Sequence, residues 1–126
     1  MESNMVGWFE IPVEDMDRAK IFYEAVFQVK IQVQELGDTR MGWFPFKNGQ
    51  PGAAGSLIQN KDWYTPSNVA GVLVYFNSED VQNELDRIGS VGGRILKPKT
   101  LISPNVGYMG LFMDTEGNRI ALLSKK

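Results

Sequence analysis

Few side chains in this 126-residue sequence are able to do chemistry, because it contains no Cys and no His. Thiolate nucleophiles, disulfides, thiolate metal sites and imidazole bases are thereby excluded. Carboxylate and hydroxyl chemistry remains, and Glu10 is its leading candidate. In the stretch VGWFEIPV, residues 6–13, alternation puts Phe9, Ile11 and Val13 on one strand face and Trp8, Glu10 and Pro12 on the other. A carboxylate walled by aromatic rings can work as a general acid or base. It can equally be a strand carboxylate satisfied by a backbone amide, an Arg or a Lys. Tyr75 is the matching phenol, able to donate to a ligand carbonyl or simply to fill a cavity.

Other local signals do not hold. Asp114, Glu116 and Gly117 look like a calcium-loop fragment but lack the alternating acidic ligands of such a loop, so the segment reads as a hairpin turn. Gly52 to Gly55 has no following Lys and Ser/Thr in phosphate-loop order, and Ser103 has no His to activate it.

The elements that must position Glu10 and Tyr75 follow from periodicity. A strand over residues 6–13 leads into a helix capped by Asp15, with Met16, Ala19, Phe22, Tyr23, Val26 and Phe27 at helical spacing. Strands are predicted at Val29 to Val33, Met41 to Phe46 and Ala53 to Ile58. A polar connector, residues 60–68, carries Trp63 and Tyr64, which read as a lid or as cover for a partner subunit.

The pattern then restarts. A strand over Val72 to Phe76 precedes a helix that Ser78 can cap, with Val81, Leu85 and Ile88 as its stripe. Strands follow at Ile95 to Leu101, Tyr108 to Met113 and Asn118 to Leu123. The expected fold class is α+β, a single domain 1–126 made of two βαβββ modules, 1–59 and 69–126. A shift of about 65 residues superposes them: Glu14-Asp15 falls on Glu79-Asp80, Gly42 on Gly107, and Trp43 on Tyr108. Trp8, Trp43, Phe44, Tyr75 and Tyr108 together suit an aromatic cleft for a flat or amphipathic small molecule, and equally suit a core or a dimer interface.

With 43% hydrophobic and 22% charged residues and a formal charge of -2, the composition is that of an ordinary soluble domain. No apolar run reaches membrane-span length, and scattered Lys and Arg give no basic face for nucleic acid, so neither partner is expected. The opening residues MESNMVGWFEI show no export signal, and a cytoplasmic location is expected.

Three stretches, FEIPVEDMDRAKIFYEAVF, VYFNSEDVQNELDRIGSVGGRILKPKT and GYMGLFMDTEGNRIALLS, resemble the vicinal oxygen chelate superfamily, which includes glyoxalase I, bleomycin-resistance proteins and extradiol dioxygenases. The last is similar to the family ending D-P-D-G-N-x-I-E-L, with Thr115 and Glu116 as departures and Ala121 where that ending has Glu. The resemblance implies two curved sheets around a cleft, a homodimer, and metal ligands at Trp8, Ser56, Leu73 and Ala121. Trp, Leu and Ala offer a divalent cation no donor, so no metal or other cofactor is expected. The alternative is one divalent metal at a displaced site that includes Glu10 and Tyr75.

The expected function is capture of a small organic molecule in the cleft formed by Trp8, Glu10, Trp43, Phe44, Ser56, Leu73, Tyr75, Tyr108 and Ala121. The alternative is a lyase or isomerase similar to lactoylglutathione lyase, with Glu10 as catalytic base and Tyr75 polarising a carbonyl. A third reading is an accessory module whose dimer surface matters more than its cleft.

Overall fold

The structure, a computed structural model, describes residues 4–126; the first three residues of the opening stretch lie outside them. Strand β1 (Trp8–Pro12) is followed by helix α1 (Met16–Phe27), then β2 (Gln32–Leu36), β3 (Thr39–Trp43) and β4 (Ala54–Gln59). The second module repeats the order with β5 (Tyr75–Asn77), α2 (Val81–Ile88), a short 3-10 turn at Gly89–Val91, β6 (Arg94–Ser103), β7 (Gly107–Met113) and β8 (Arg119–Ser124). Each module folds its strands into one four-stranded sheet, ordered β1-β4-β3-β2 and β5-β8-β7-β6. The first two strands of each list run parallel and the remaining pairs antiparallel. This is the α+β, twice-βαβββ arrangement the sequence predicts.

Local chemistry sets the element ends. The carboxylate of Asp15 accepts from the Arg18 N–H at 3.0 Å, and Met16, Ala19, Phe22, Tyr23 and Val26 are all buried along one stripe of α1. Strand β2 begins later than Val29 because the Ile31 N–H is taken by the Glu24 carboxylate at 2.9 Å and is lost to the ladder. Helix α2 is capped by Asp80, not by Ser78: Asp80 accepts from the Gln82 N–H at 3.0 Å. Ser78 lies in the turn before it, accepting from the Asp80 N–H and donating to Glu84. Of the predicted Val72 to Phe76 strand only Tyr75 and Phe76 are regular, and the strand runs on to Asn77.

One core serves both modules. The sheet faces bearing Ile11 and Leu57, and Phe112, Ile120 and Leu122, meet the stripes of α1 and α2 in a single cluster. Phe9, Phe44 and Phe76 join Tyr23 and Phe27 at the seam, with ring centroids 4.7 to 6.3 Å apart. Two glycines let the helices seat closely. A Cβ on Gly42 would stand 2.9 Å from Ile31 Cγ2 and 3.0 Å from Met16 Sδ, and one on Gly110 would stand 3.0 Å from Leu85 Cδ1.

Those glycines also correct the internal repeat. Glu10 lies beside Ser56 and Tyr75 beside Ala121, so the expected shift holds for β1 and β4. Trp43 lies on the other side of Ser56, whereas Leu111, not Tyr108, lies on the other side of Ala121. Gly42 likewise matches Gly110 and not Gly107, since they pair with Leu57 and Leu122. The two modules differ here because the first spends residues 44–53 on its last connection and the second only 114–118.

Between the modules the tightest polar link is the β7–β8 turn. Glu116 accepts from the Glu14 and Asp15 N–H groups, both at 2.9 Å, from Arg18 Nε at 2.7 Å and from Thr115. It thereby satisfies free N–H groups at the start of α1. Asp114 accepts from the Tyr23 hydroxyl at 2.7 Å and from two backbone N–H groups of its own turn, and Asn118 donates to the Pro12 carbonyl. The turn read from sequence as a bare hairpin therefore fastens the second module to the first.

Candidate functional site

The faces turned away from the core are where the predicted site residues collect. On the first sheet, Glu10, Ser56 and Trp43 form one row across β1, β4 and β3. Trp8, on the same face of β1, meets Trp43 edge to face with ring centroids 5.6 Å apart. Because β4 lies between their strands, the two indoles close over it. Ser56 is left with no exposed surface, and its Oγ has no hydrogen-bond partner. A buried hydroxyl without a partner carries a desolvation cost that a ligand atom can relieve.

Glu10 is held by two neutral donors. The Tyr64 hydroxyl donates to Oε1 at 2.6 Å and the Trp8 indole to Oε2 at 3.4 Å. Neither the amide nor the Arg or Lys that the sequence allowed for is its partner. The carboxylate raises the Tyr64 hydroxyl above the usual phenol range, with burial adding to the effect. Tyr64, expected with Trp63 as a lid or as cover for a partner subunit, instead bonds Glu10 and joins the site. The predicted cleft set omits it, and a Trp-Tyr pair inside a polar connector is its only signal in the sequence. Trp63 beside it is 82% exposed. A groove of ≈ 590 Å³ lined by Asp38, Thr39, Ile58, Asn60, Trp63 and Tyr64 continues the open face. A second, ≈ 570 Å³, runs from Tyr64 past Asn60, Lys61 and Arg40.

The second sheet presents a different surface. Its equivalent row is Tyr75, Ala121 and Leu111, with Met109 and Met113 on the same strand face. Tyr75 is 46% exposed, and Trp8 and Trp43 are 41% and 42% exposed. Both open faces are therefore partly accessible in the single chain, the first aromatic and acidic, the second apolar along β8 and β7 with Arg119, Lys97 and Arg94 at register positions on the same face. Glu10 and Tyr75 are on different sheets and are not brought together as an acid–base pair.

Three of the predicted cleft residues lie elsewhere. Phe44 packs in the core seam, 5.6 Å from the Tyr23 ring. Tyr108 shares the β7 face of Gly110 and Phe112, toward the helices, with the Lys99 ammonium 4.6 Å from its ring centre. Leu73 precedes β5 in irregular chain and is half-buried. For Phe44 and Tyr108 the reason is strand parity, which a one-residue ambiguity reverses; Leu73 shares the parity of Tyr75 but lies before the regular strand.

The donor chemistry does not fit a catalytic metal at the positions the resemblance implies. Of Trp8, Ser56, Leu73 and Ala121, only Ser56 offers an oxygen. No cluster of three or more Asp, Glu, His or Cys able to hold a metal exists among the described residues. No helix among them is long and apolar enough to cross a membrane.

Comparison with known proteins agrees with this architecture. The chain is 25% identical over 126 residues to a glyoxylase-like domain-containing protein of Didymella fabae, covering 95% of this chain and 93% of that one. It superposes on TnmS3, an antibiotic binding protein from Streptomyces sp. CB03234, with a TM-score of 0.67 and 25% identity, covering 100% of this chain and 99% of that one. On glyoxalase I from Zea mays the TM-score is 0.68 at 15% identity, over 94% of this chain; the chain spans only 45% of the maize protein. The model of the Glyoxalase/Bleomycin resistance protein/Dioxygenase superfamily matches residues 5–122. The chain belongs to that superfamily.

Proposed function

We propose that the protein binds a small organic molecule on the open face of the first sheet, without metal and without turning it over. The observation that carries this is Ser56 Oγ, buried and unpartnered beneath the Trp8–Trp43 pair and beside Glu10. Two indoles supply a flat apolar contact and a carboxylate a directional polar one, and a ligand group that parts the indoles reaches the Ser56 hydroxyl, which is the usual composition of a small-molecule site. The full-length similarity to an antibiotic binding protein at 25% identity supports the same reading.

A second copy of the chain completes the site in this proposal. Tyr75 at the edge of the second sheet's apolar row and Trp8 and Trp43 on the first sheet stay exposed in one chain. Placing one face against the other encloses the ligand between an aromatic, acidic wall and a largely apolar one with Arg119, Lys97 and Arg94 on its face.

The test is a titration of chelator-treated protein with aromatic compounds, followed by indole emission, with the compound then recovered and weighed by mass spectrometry. Saturable binding with an unchanged compound mass is expected, together with roughly tenfold weaker binding after Trp8→Ala or Trp43→Ala. Conversion of a bound compound to product, or no saturable ligand, contradicts the proposal.

A further inference from the structure

The distribution of charge at this face narrows the ligand class. Glu10 is half-buried, and both groups that bond its carboxylate, the Tyr64 hydroxyl and the Trp8 indole N–H, are neutral. Several acidic residues pair with cations, Glu116 with Arg18, Glu24 with Lys20, Asp80 with Lys99, and Asp17 and Glu35 with Arg40. Glu10 belongs with those that do not, and among the described residues it alone of these sits on the indole-lined face. Among the described residues, no Lys or Arg forms an ion pair with Glu10. Its negative charge is delocalised onto two neutral donors but not cancelled.

The surroundings of that charge are also selective. Trp8 and Trp43 present indole rings, whose electron-rich faces attract cations more strongly than any other aromatic side chain. On the first sheet an anion meets Glu10 with no base paired to it, and a neutral molecule gains nothing from the carboxylate beyond a hydrogen bond. An inorganic cation finds one carboxylate and one hydroxyl, too few oxygens for a stable site. A cationic head on an apolar body uses the exposed groups together: the carboxylate for charge and the indoles for both head and body.

We propose that the ligand class of this face is organic cations, protonated or quaternary amines carried on an apolar or aromatic body. This rests on the small-molecule-binding reading above and adds the charge of the ligand to it.

The experiment is a matched series on the full chain at neutral pH: 2-phenylethylamine, 2-phenylethanol and phenylacetate, which share a ring and differ in charge. Affinities are read from indole emission and by calorimetry. The amine is expected to bind about tenfold or more tightly than the alcohol, with phenylacetate weakest. Glu10→Gln, which can still accept from Tyr64, is expected to bring the amine down to the level of the alcohol. Raising the salt concentration on the unsubstituted protein is expected to weaken the amine alone, a readout that needs no variant. Equal binding of amine and alcohol overturns the cation proposal while leaving the binding face intact. Saturable binding of none of the three, up to millimolar concentration, overturns both.

Discussion

The hydroxyl of Tyr64 donates to Glu10 Oε1 at 2.6 Å, tying the connector between the two modules to the β1 edge of the first sheet's open face. This single bond makes the connector part of the site. It also explains why the phenol is held above its ordinary range, since ionising it would place two negative charges in contact. Tyr64→Phe is expected to leave the fold intact, because only one exposed-side hydroxyl is lost, and to loosen the connector. Amide hydrogen exchange over residues 60–68 checks this; protection unchanged from the unsubstituted protein contradicts it.

The Glu116 clamp makes a pH-dependent contribution to stability. Burial pushes this carboxyl up, but hydrogen bonds from Arg18, the Asp15 and Glu14 N–H groups and Thr115 outweigh it, so it titrates below the ordinary glutamate value. A lowered value in the folded state means the contribution is present above the unfolded-chain value and is lost as pH falls through the folded one. Glu116→Gln is expected to cost about 1–3 kcal/mol at neutral pH, with the difference from the unsubstituted protein shrinking as the solution is acidified. Urea unfolding at neutral and acidic pH measures it; a difference independent of pH contradicts the assignment. Asp114 works in the opposite direction, its carboxyl raised by burial against the hydrogen bonds it accepts.

The helix seats at Gly42 and Gly110 predict a matched pair of effects. Gly42→Ala and Gly110→Ala are each expected to destabilise by about 1–3 kcal/mol, because the new methyl meets Ile31 and Met16 in one case and Leu85 in the other. Gly89→Ala is the control: nothing lies within 4 Å of the added Cβ and φ is -64. It is expected to be neutral or stabilising by about 0.4–1 kcal/mol. Thermal melting of the three variants decides it.

Association of two chains is testable at Tyr75. If a second copy covers the apolar face, sedimentation at micromolar concentration gives a dimer, and Tyr75→Asp, which puts a charge on that face, shifts it to monomer. A monomeric unsubstituted protein contradicts the completed cleft.

Much of the architecture could be read from residue order because it depends on local pattern. The stripe from Met16 to Val26 and the alternation around Glu10 each fix an element without reference to the rest of the chain. Parity was legible wherever a strand had clear neighbours, which is why Trp8, Glu10, Ser56 and Trp43 come together as expected. It failed at Tyr108, where a shorter connection in the second module displaces β7 relative to β3, and at Phe44, which follows Trp43 directly and so turns to the opposite side. The long-range polar partners were not legible at all. Glu116 meets Arg18 across 98 residues and Tyr64 meets Glu10 across 54, and no periodicity links such positions.

The most direct test of the account is a two-dimensional NMR titration of the three indole N–H signals with 2-phenylethylamine, on chelator-treated protein. Trp8 and Trp43 flank the proposed site, while Trp63 stands at its outer groove. Saturable shifts of the Trp8 and Trp43 signals, unchanged by adding divalent metal, are expected. Shifts confined to Trp63, or shifts of Trp8 and Trp43 that require a metal, would contradict the account.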